Sequence, residues 1–219
     1  MSTNLSDLLR IRLKDLWDRD INHPFVIELY SGVLPPNKFR YYLMQDYNYL
    51  VMMAKTLGIL AAKAPTLELT KLTLELAYGT VTGEMENYRR LLSMLDLTID
   101  DVVRVRPNPV NTAYMNYLLA TAYQGDFYIG LTAIITCFWT YLDIAEVHKG
   151  KLASNRVEVY RAWASTYLSD QYRDLVYLVK RIIDASGRSP EDLQPYFELA
   201  LRYEIMFWEA SYRMEEWTS

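Results

Sequence analysis

Residues 127–148 read FYIGLTAIITCFWTYLDIAEVH, from Phe127 to His148. No charge interrupts the run before Asp143, and Gly130, Ala133, Ile134, Cys137, Tyr141 and Ile144 recur at helical spacing, on one face. The uncharged part, residues 127–142, is shorter than the roughly 18 apolar residues a membrane span needs. A helix this apolar must be wrapped by other helices, so the stretch reads as the buried core helix of an all-α fold.

Working outward, eight glycines and eight prolines in 219 residues leave few breaks. Between the breaks, apolar residues recur at three and four rather than at two. Long helices are predicted over about 37–62, 67–95, 127–148 and 190–216, with shorter ones between them. Breaks fall at Asn22-His23-Pro24, Ser31-Gly32, Ala64-Pro65-Thr66, Arg106-Pro107-Asn108-Pro109, Gln124-Gly125-Asp126, Lys149-Gly150, Leu168-Ser169-Asp170 and Ser186-Gly187. There is no internal repeat, and apolar residues are spread evenly, so one domain over residues 1–219 is expected.

The net charge is −4, and same-sign clusters such as Arg89-Arg90 and Glu215-Glu216 are only pairs. Nothing basic enough to hold nucleic acid is present. The single cysteine, Cys137, cannot form an intramolecular disulfide, and the opening MSTNLSDLLRIRLKDLW is charged throughout. The expectation is a cytoplasmic protein with no membrane partner. The two histidines, His23 before a proline at a helix start and His148 at a helix end, read as structural, the latter favouring the C-terminal dipole. Imidazole-based metal sites are poorly supplied.

Chemistry concentrates where polar groups interrupt apolar stripes. After Pro36 one stripe reads Phe39, Tyr42, Leu43, Asp46, Tyr49, Leu50, Met53; near the C-terminus another reads Phe197, Ala200, Leu201, Glu204, Phe207, Trp208, Ser211. Each buries a carboxylate, which must be paired, hydrogen-bonded or shifted upward in pKa. Glu84, with Ala77, Val81 and Tyr88 at helical spacing, is a third and weaker case. Cys137 faces inward on its helix. A lone buried cysteine is either an inert small apolar residue or a nucleophile whose proton a neighbour takes. The 19 tyrosines fit either a polar pocket inside the bundle or hydroxyls at the surface and at subunit contacts, as Tyr172, Tyr177 and Trp217 suggest.

Five phrases in order, NHPFV from Asn22, YYLMQDYNYL from Tyr41, GTVTGEM from Gly79, CFWTYLDIAE from Cys137 and YEIMFWEASYRMEEW from Tyr203, resemble the thiaminase II (TenA) family across about 200 residues. That resemblance implies a haem-oxygenase-like helical bundle without haem, enclosing a pocket for the aminopyrimidine half of thiamin, and a homotetramer. It also implies that Cys137 is the nucleophile, Glu204 the acid/base, and Asp46 the group binding the aminopyrimidine edge. Tyr49 and Tyr141 become pocket residues, and Tyr114 and Tyr167 are carried over on spacing around less well-kept phrases. The chain departs from the usual wording at Tyr47-Asn48 and at Phe138, without loss of a functional group.

The implied reaction is hydrolysis of the carbon–nitrogen bond at the 5-methylene of 4-amino-2-methylpyrimidines, with no metal or organic cofactor needed. The substrates would be 4-amino-5-aminomethyl-2-methylpyrimidine and thiamin, both giving the hydroxymethylpyrimidine. Two other readings stand beside it: an oxidase of the same fold, against whose di-iron form the two distant histidines argue, and a non-catalytic binder of thiamin-related ligands.

Overall fold

Prolines and short polar side chains set most of the helix starts. Pro24, Pro36, Pro109 and Pro190 each open a helix at its first position, where the missing N–H costs nothing. Asn108 Oδ1 accepts the Asn111 N–H at 2.7 Å, Ser169 Oγ accepts that of Tyr172 at 3.2 Å, and His23 Nδ1 accepts that of Phe25 at 3.2 Å. The computed structural model describes residues 3–218, and among them no strand occurs. In chain order the helices are α1 (Leu5–Arg12), α2 (Lys14–Ile21), α3 (Pro24–Ser31), α4 (Pro36–Lys63), α5 (Leu67–Gly79), α6 (Met85–Ser93), α7 (Ile99–Val102), α8 (Pro109–Gln124), α9 (Phe127–His148), α10 (Glu158–Tyr167), α11 (Asp170–Asp184) and α12 (Pro190–Arg213). A five-residue π turn, Thr80–Glu84, joins α5 to α6, and a 3₁₀ turn, Lys149–Ala153, follows α9.

The helix expected over 67–95 is therefore continuous in path but not regular. Thr80 and Thr82 donate their hydroxyls to the carbonyls of Leu76 and Tyr78, at 3.2 and 2.7 Å, and Gly79 and Gly83 flank them. Back-bonding threonines and flexible glycines loosen the α ladder where the π turn forms. The last helix stops three residues short of the expected 216. Met214 adopts a left-handed φ of 52°, and the Glu215 N–H closes on the Ala210 carbonyl at 2.9 Å, a Schellman end. Gly32 ends α3 with φ 77°, and a Cβ there would lie 2.6 Å from Asn155 Oδ1. Asn155 is held in place by donating to the carbonyls of Leu29 and Tyr30.

The described residues gather into two compact units, each discontinuous in sequence. The first comprises the chain up to Leu34 and Tyr128–Glu209. Its core holds Trp17 stacked on Phe197 at 5.9 Å and edge-on to Trp139 at 5.0 Å. The Trp17 indole donates to Asp143, which also pairs with Arg10 at 2.9 Å. Most of α9 belongs here; it and the following 3₁₀ turn are long and apolar enough to cross a membrane, but they are mostly buried, as the core-helix reading of residues 127–142 expects. The second unit comprises Pro35–Phe127 and the chain from Ala210, with α4 packed against α5 and α8.

Candidate active site

In the first unit, the inward face of α9 is buried along its length, with Ala133, Ile134, Cys137, Tyr141 and Ile144 all at most 9% exposed. Its thiol sits one turn from Tyr141, whose ring meets Tyr167 at 4.9 Å, Trp208 at 5.2 Å and Trp163 at 5.8 Å. Trp163 in turn meets Tyr167 at 4.7 Å. Four rings from α9, α10 and α12 thus form an aromatic cluster suited to gripping a flat heterocycle. Tyr172, expected at the surface, is half-buried and donates to the Phe138 carbonyl at 3.1 Å, which anchors α11 beside Cys137.

Glu204 lies on α12 with 1% exposure, so the apolar stripe does bury its carboxyl. Beside it is a residue the stripe analysis passed over. Asp20 is wholly buried, and its carboxyl is pushed well above the usual range by desolvation first and by the charge of Glu204 second. The signal was present: Trp17 and Ile21 share the buried face of α2 with Asp20, and Leu13 just before the helix is buried with them. The nearby charges Asp18 and Arg19 made the segment look solvated. His148, at 2% exposure, bonds through Nε2 to the Ile21 carbonyl at 2.7 Å. Burial pushes its pKa down. It is therefore neutral at pH 7, and it ends α9 as a buried hydrogen-bond donor rather than as a cation on the helix dipole.

In the second unit, Phe39, Tyr42, Leu43, Tyr49, Leu50 and Met53 are buried as the α4 stripe requires, and Asp46 is half-buried among them. Tyr49 meets Tyr114 of α8 at 5.3 Å, the latter 1% exposed. The Asp46 charge reaches Tyr88, whose hydroxyl donates to the Leu43 carbonyl at 2.6 Å. Burial and that charge together push the Tyr88 phenol well up.

A polar lattice on Gln45, which sequence inspection passed over, fixes this corner. Gln45 Oε1 accepts the Asn108 N–H at 2.9 Å, and Asn111 Nδ2 donates to the Gln45 carbonyl at 2.8 Å. The residue before Asp46 is thereby clamped to the start of α8, which carries Tyr114. Glu84, half-buried on the π turn, has its carboxyl pushed up to about 7 by desolvation, with Thr80 pulling it partly back.

Of the residues singled out in sequence, Cys137, Tyr141, Tyr167 and Glu204 thus fall in the first unit and Asp46, Tyr49 and Tyr114 in the second. An all-α chain that carries a buried thiol, a buried carboxyl and an aromatic cluster has the makings of a nucleophilic enzyme. The profile of the TENA/THI-4/PQQC family matches residues 10–214, and the chain belongs to that family. A Bacillus subtilis protein named aminopyrimidine aminohydrolase is 28% identical, over 97% of this chain and 92% of its own. A solved structure described as a TenA homologue protein from P. horikoshii OT3 is 43% identical, covers 97% of this chain and 100% of its own, and superposes with a TM-score of 0.94. At 14% identity, a domain of unknown function with a heme oxygenase-like fold from Shewanella denitrificans still reaches a TM-score of 0.79, over 98% of this chain and 94% of its own, which establishes the fold class.

Proposed function

We propose that this chain hydrolyses the carbon–nitrogen bond at the 5-methylene of 4-amino-2-methylpyrimidines through a covalent adduct on Cys137. The protein is a hydrolase of thiamin-related metabolism acting on carbon–nitrogen bonds, as its relatives named aminopyrimidine aminohydrolase support. The observation that carries the finer reading is the inward thiol of Cys137, packed in one unit with the Tyr141 cluster and the buried Glu204.

The Cys137 thiolate adds to a ring carbon of the electron-poor pyrimidine, and the ring nitrogens take up the electron pair. That pair then expels the substituent on the 5-methylene, and Glu204 gives the departing nitrogen a proton, leaving an exocyclic methylene. Water adds to this methylene while Glu204 takes a proton back. The ring regains aromaticity as the carbon–sulfur bond breaks and the thiolate leaves. The sum is substrate and water giving the hydroxymethylpyrimidine and the free amine, with thiol and carboxyl restored. The family resemblance assigns Asp46 to the aminopyrimidine edge and makes Tyr49, Tyr114, Tyr141 and Tyr167 pocket residues that stack on the ring or hold the thiolate. A carboxylate accepting from a ring amine gives orientation as well as affinity.

The test is to incubate the wild type and Cys137→Ser with 4-amino-5-aminomethyl-2-methylpyrimidine and, separately, with thiamin, and to measure hydroxymethylpyrimidine. The expected result is release by the wild type and a loss of roughly a thousandfold or more in the variant, since a serine hydroxyl is a far weaker nucleophile than a thiolate. The ratio of the two wild-type rates identifies the preferred substrate. No release from either compound, with the pyrimidine still bound, would make the protein a binder and overturn the reading.

A further inference from the structure

The first unit buries a second carboxyl for which the proposed reaction has no use. Asp20 on α2, Thr140 on α9, and Glu204 and Trp208 on α12 are each at most 1% exposed. Both Asp20 oxygens are sealed from solvent, and neither meets a donor at normal hydrogen-bond geometry. The groups that act on it are the Thr140 hydroxyl, the Trp208 indole N–H and the charge of Glu204. The Thr140 hydroxyl also lies 3.2 Å from the Cys137 carbonyl, and it and the Trp208 indole pull the Asp20 carboxyl part of the way back down, against the larger upward push of burial and of Glu204. No cationic group among the described residues acts on Asp20 to hold it ionised. The charged group that acts on Asp20 from the neighbouring helices is Glu204 of α12, an anion.

Two carboxyls buried together without a cation cannot both ionise near neutrality, because the second charge would face the first across a poorly screened interior. We propose that Asp20 is a positioning residue for Glu204: the two carboxyls hold a proton between them, and Asp20 thereby keeps Glu204 able to donate to the leaving nitrogen. The inference rests on the hydrolase reading for the role of Glu204. Asp20 touches no reacting atom; it acts through its neighbour. The thread from Asp20 to Thr140 to the Cys137 carbonyl ties the same carboxyl to the turn of α9 that carries the nucleophile.

The pair titrates as a unit, in two steps. While one proton remains, Glu204 has access to it. Activity on the alkaline side is lost as the pair gives up that last proton, a step delayed by repulsion between the two charges. Replacing Asp20 by its isosteric amide removes the repulsion and adds a donor to the Glu204 anion, so Glu204 releases its proton at lower pH.

The experiment is the pH profile of kcat for the wild type, Asp20→Asn and Asp20→Glu with the aminomethylpyrimidine. The expected result is an alkaline limb lowered by about one pH unit or more in Asp20→Asn, with KM changed less than twofold to threefold, and a limb returned toward the wild type in Asp20→Glu. A folded Asp20→Asn protein with an unmoved limb would overturn the proposal, because a structural role lowers kcat without moving the profile. A second readout needs no turnover. In wild-type protein labelled with ¹³C at the Asp and Glu carboxyl carbons, and assigned with Glu204→Gln, the Asp20 and Glu204 resonances should share two titration steps. Independent single steps in the ordinary carboxyl range would overturn it too. Absence of hydroxymethylpyrimidine release by the wild type would sink the hydrolase reading, while the resonances would still decide whether the carboxyls form a pair.

Discussion

Around Gln45 on α4, neighbouring amides trade hydrogen bonds: Gln45 Oε1 accepts from the Asn108 backbone, and Asn111 reaches the Gln45 carbonyl. Around Asp20 on α2, two buried carboxyl oxygens meet no donor at normal geometry and lie beside a second carboxyl. Both clusters are out of water, and both cost free energy to bury. The first is largely repaid by its own bonds, with Asn111 Oδ1 left over, and makes a rigid corner. The second is left unbalanced, and an unbalanced buried carboxyl keeps a proton it would lose in water. The satisfied cluster fixes a backbone corner; the unsatisfied one tunes the proton of its neighbour.

That contrast can be sharpened by substitutions of different size. The largest expected effect is on chemistry: Glu204→Gln keeps shape and burial but cannot exchange a proton, and kcat should fall by roughly 10²- to 10⁴-fold with the fold intact. Steady-state kinetics beside a circular dichroism spectrum checks it, and a fall below tenfold would remove Glu204 as acid/base. Next is the rigid corner. Gln45→Leu strands the Asn108 N–H and removes the longer bond, 3.3 Å, from Asn111 Nδ2 to Gln45 Oε1, while the carbonyl of residue 45 still accepts from Asn111, and should cost about 1–3 kcal/mol in urea unfolding. A cost within error of zero would mean that the lattice is ornamental and that the contrast fails.

The smallest effect distinguishes the two kinds of burial by pH. Glu84 has an ordinary pKa of 4.5 that desolvation raises to about 7, so its ionisation burdens the folded state. The burden is absent below about pH 4.5, grows as the pH climbs to 7, and is complete above it. Glu84→Gln should accordingly add on the order of 1–2 kcal/mol at pH 8, after discounting for its partial exposure, and close to nothing at pH 4. A pH-independent difference in thermal midpoints would show that Glu84 is hydrated.

Much of the scaffold is legible in the chain itself. The stretch 127–148 is continuous apolar sequence with a helical stripe, and it forms α9 at those residues. The helix expected over 37–62 differs from α4 by one residue at each end. Burial of Cys137, Tyr49 and Glu204 also follows from their stripes, since periodicity reports which side chains face inward. What periodicity does not report is a neighbour from another helix. Asp20 sits between Arg19 and Ile21, and its pairing with Glu204 depends on residues 184 positions apart in sequence. Likewise, the Gln45 lattice joins α4 to the start of α8, and local pattern carries no trace of it. The left-handed turn at Met214 is hidden for another reason: methionine carries none of the usual glycine or asparagine signals for a helix end.

The π turn at Thr80–Glu84 has a consequence for how this chain can vary in length. A π turn holds one more residue than the α turn it replaces, so it acts as a tolerated insertion frozen into the helix. Excising one residue there would restore an unbroken α ladder from Leu67 to Ser93. That excision would leave α6 facing as it does now, whereas keeping every residue and winding the turn as regular α-helix would turn everything downstream by about 100° around the helix axis. Met85, Tyr88, Leu91 and Leu92, now buried, would swing toward solvent, and Glu86 and Arg89 would swing inward. The irregular turn is thus a phase adjuster: it sets the rotational register of α6, and with it the direction in which Tyr88 presents its hydroxyl to α4.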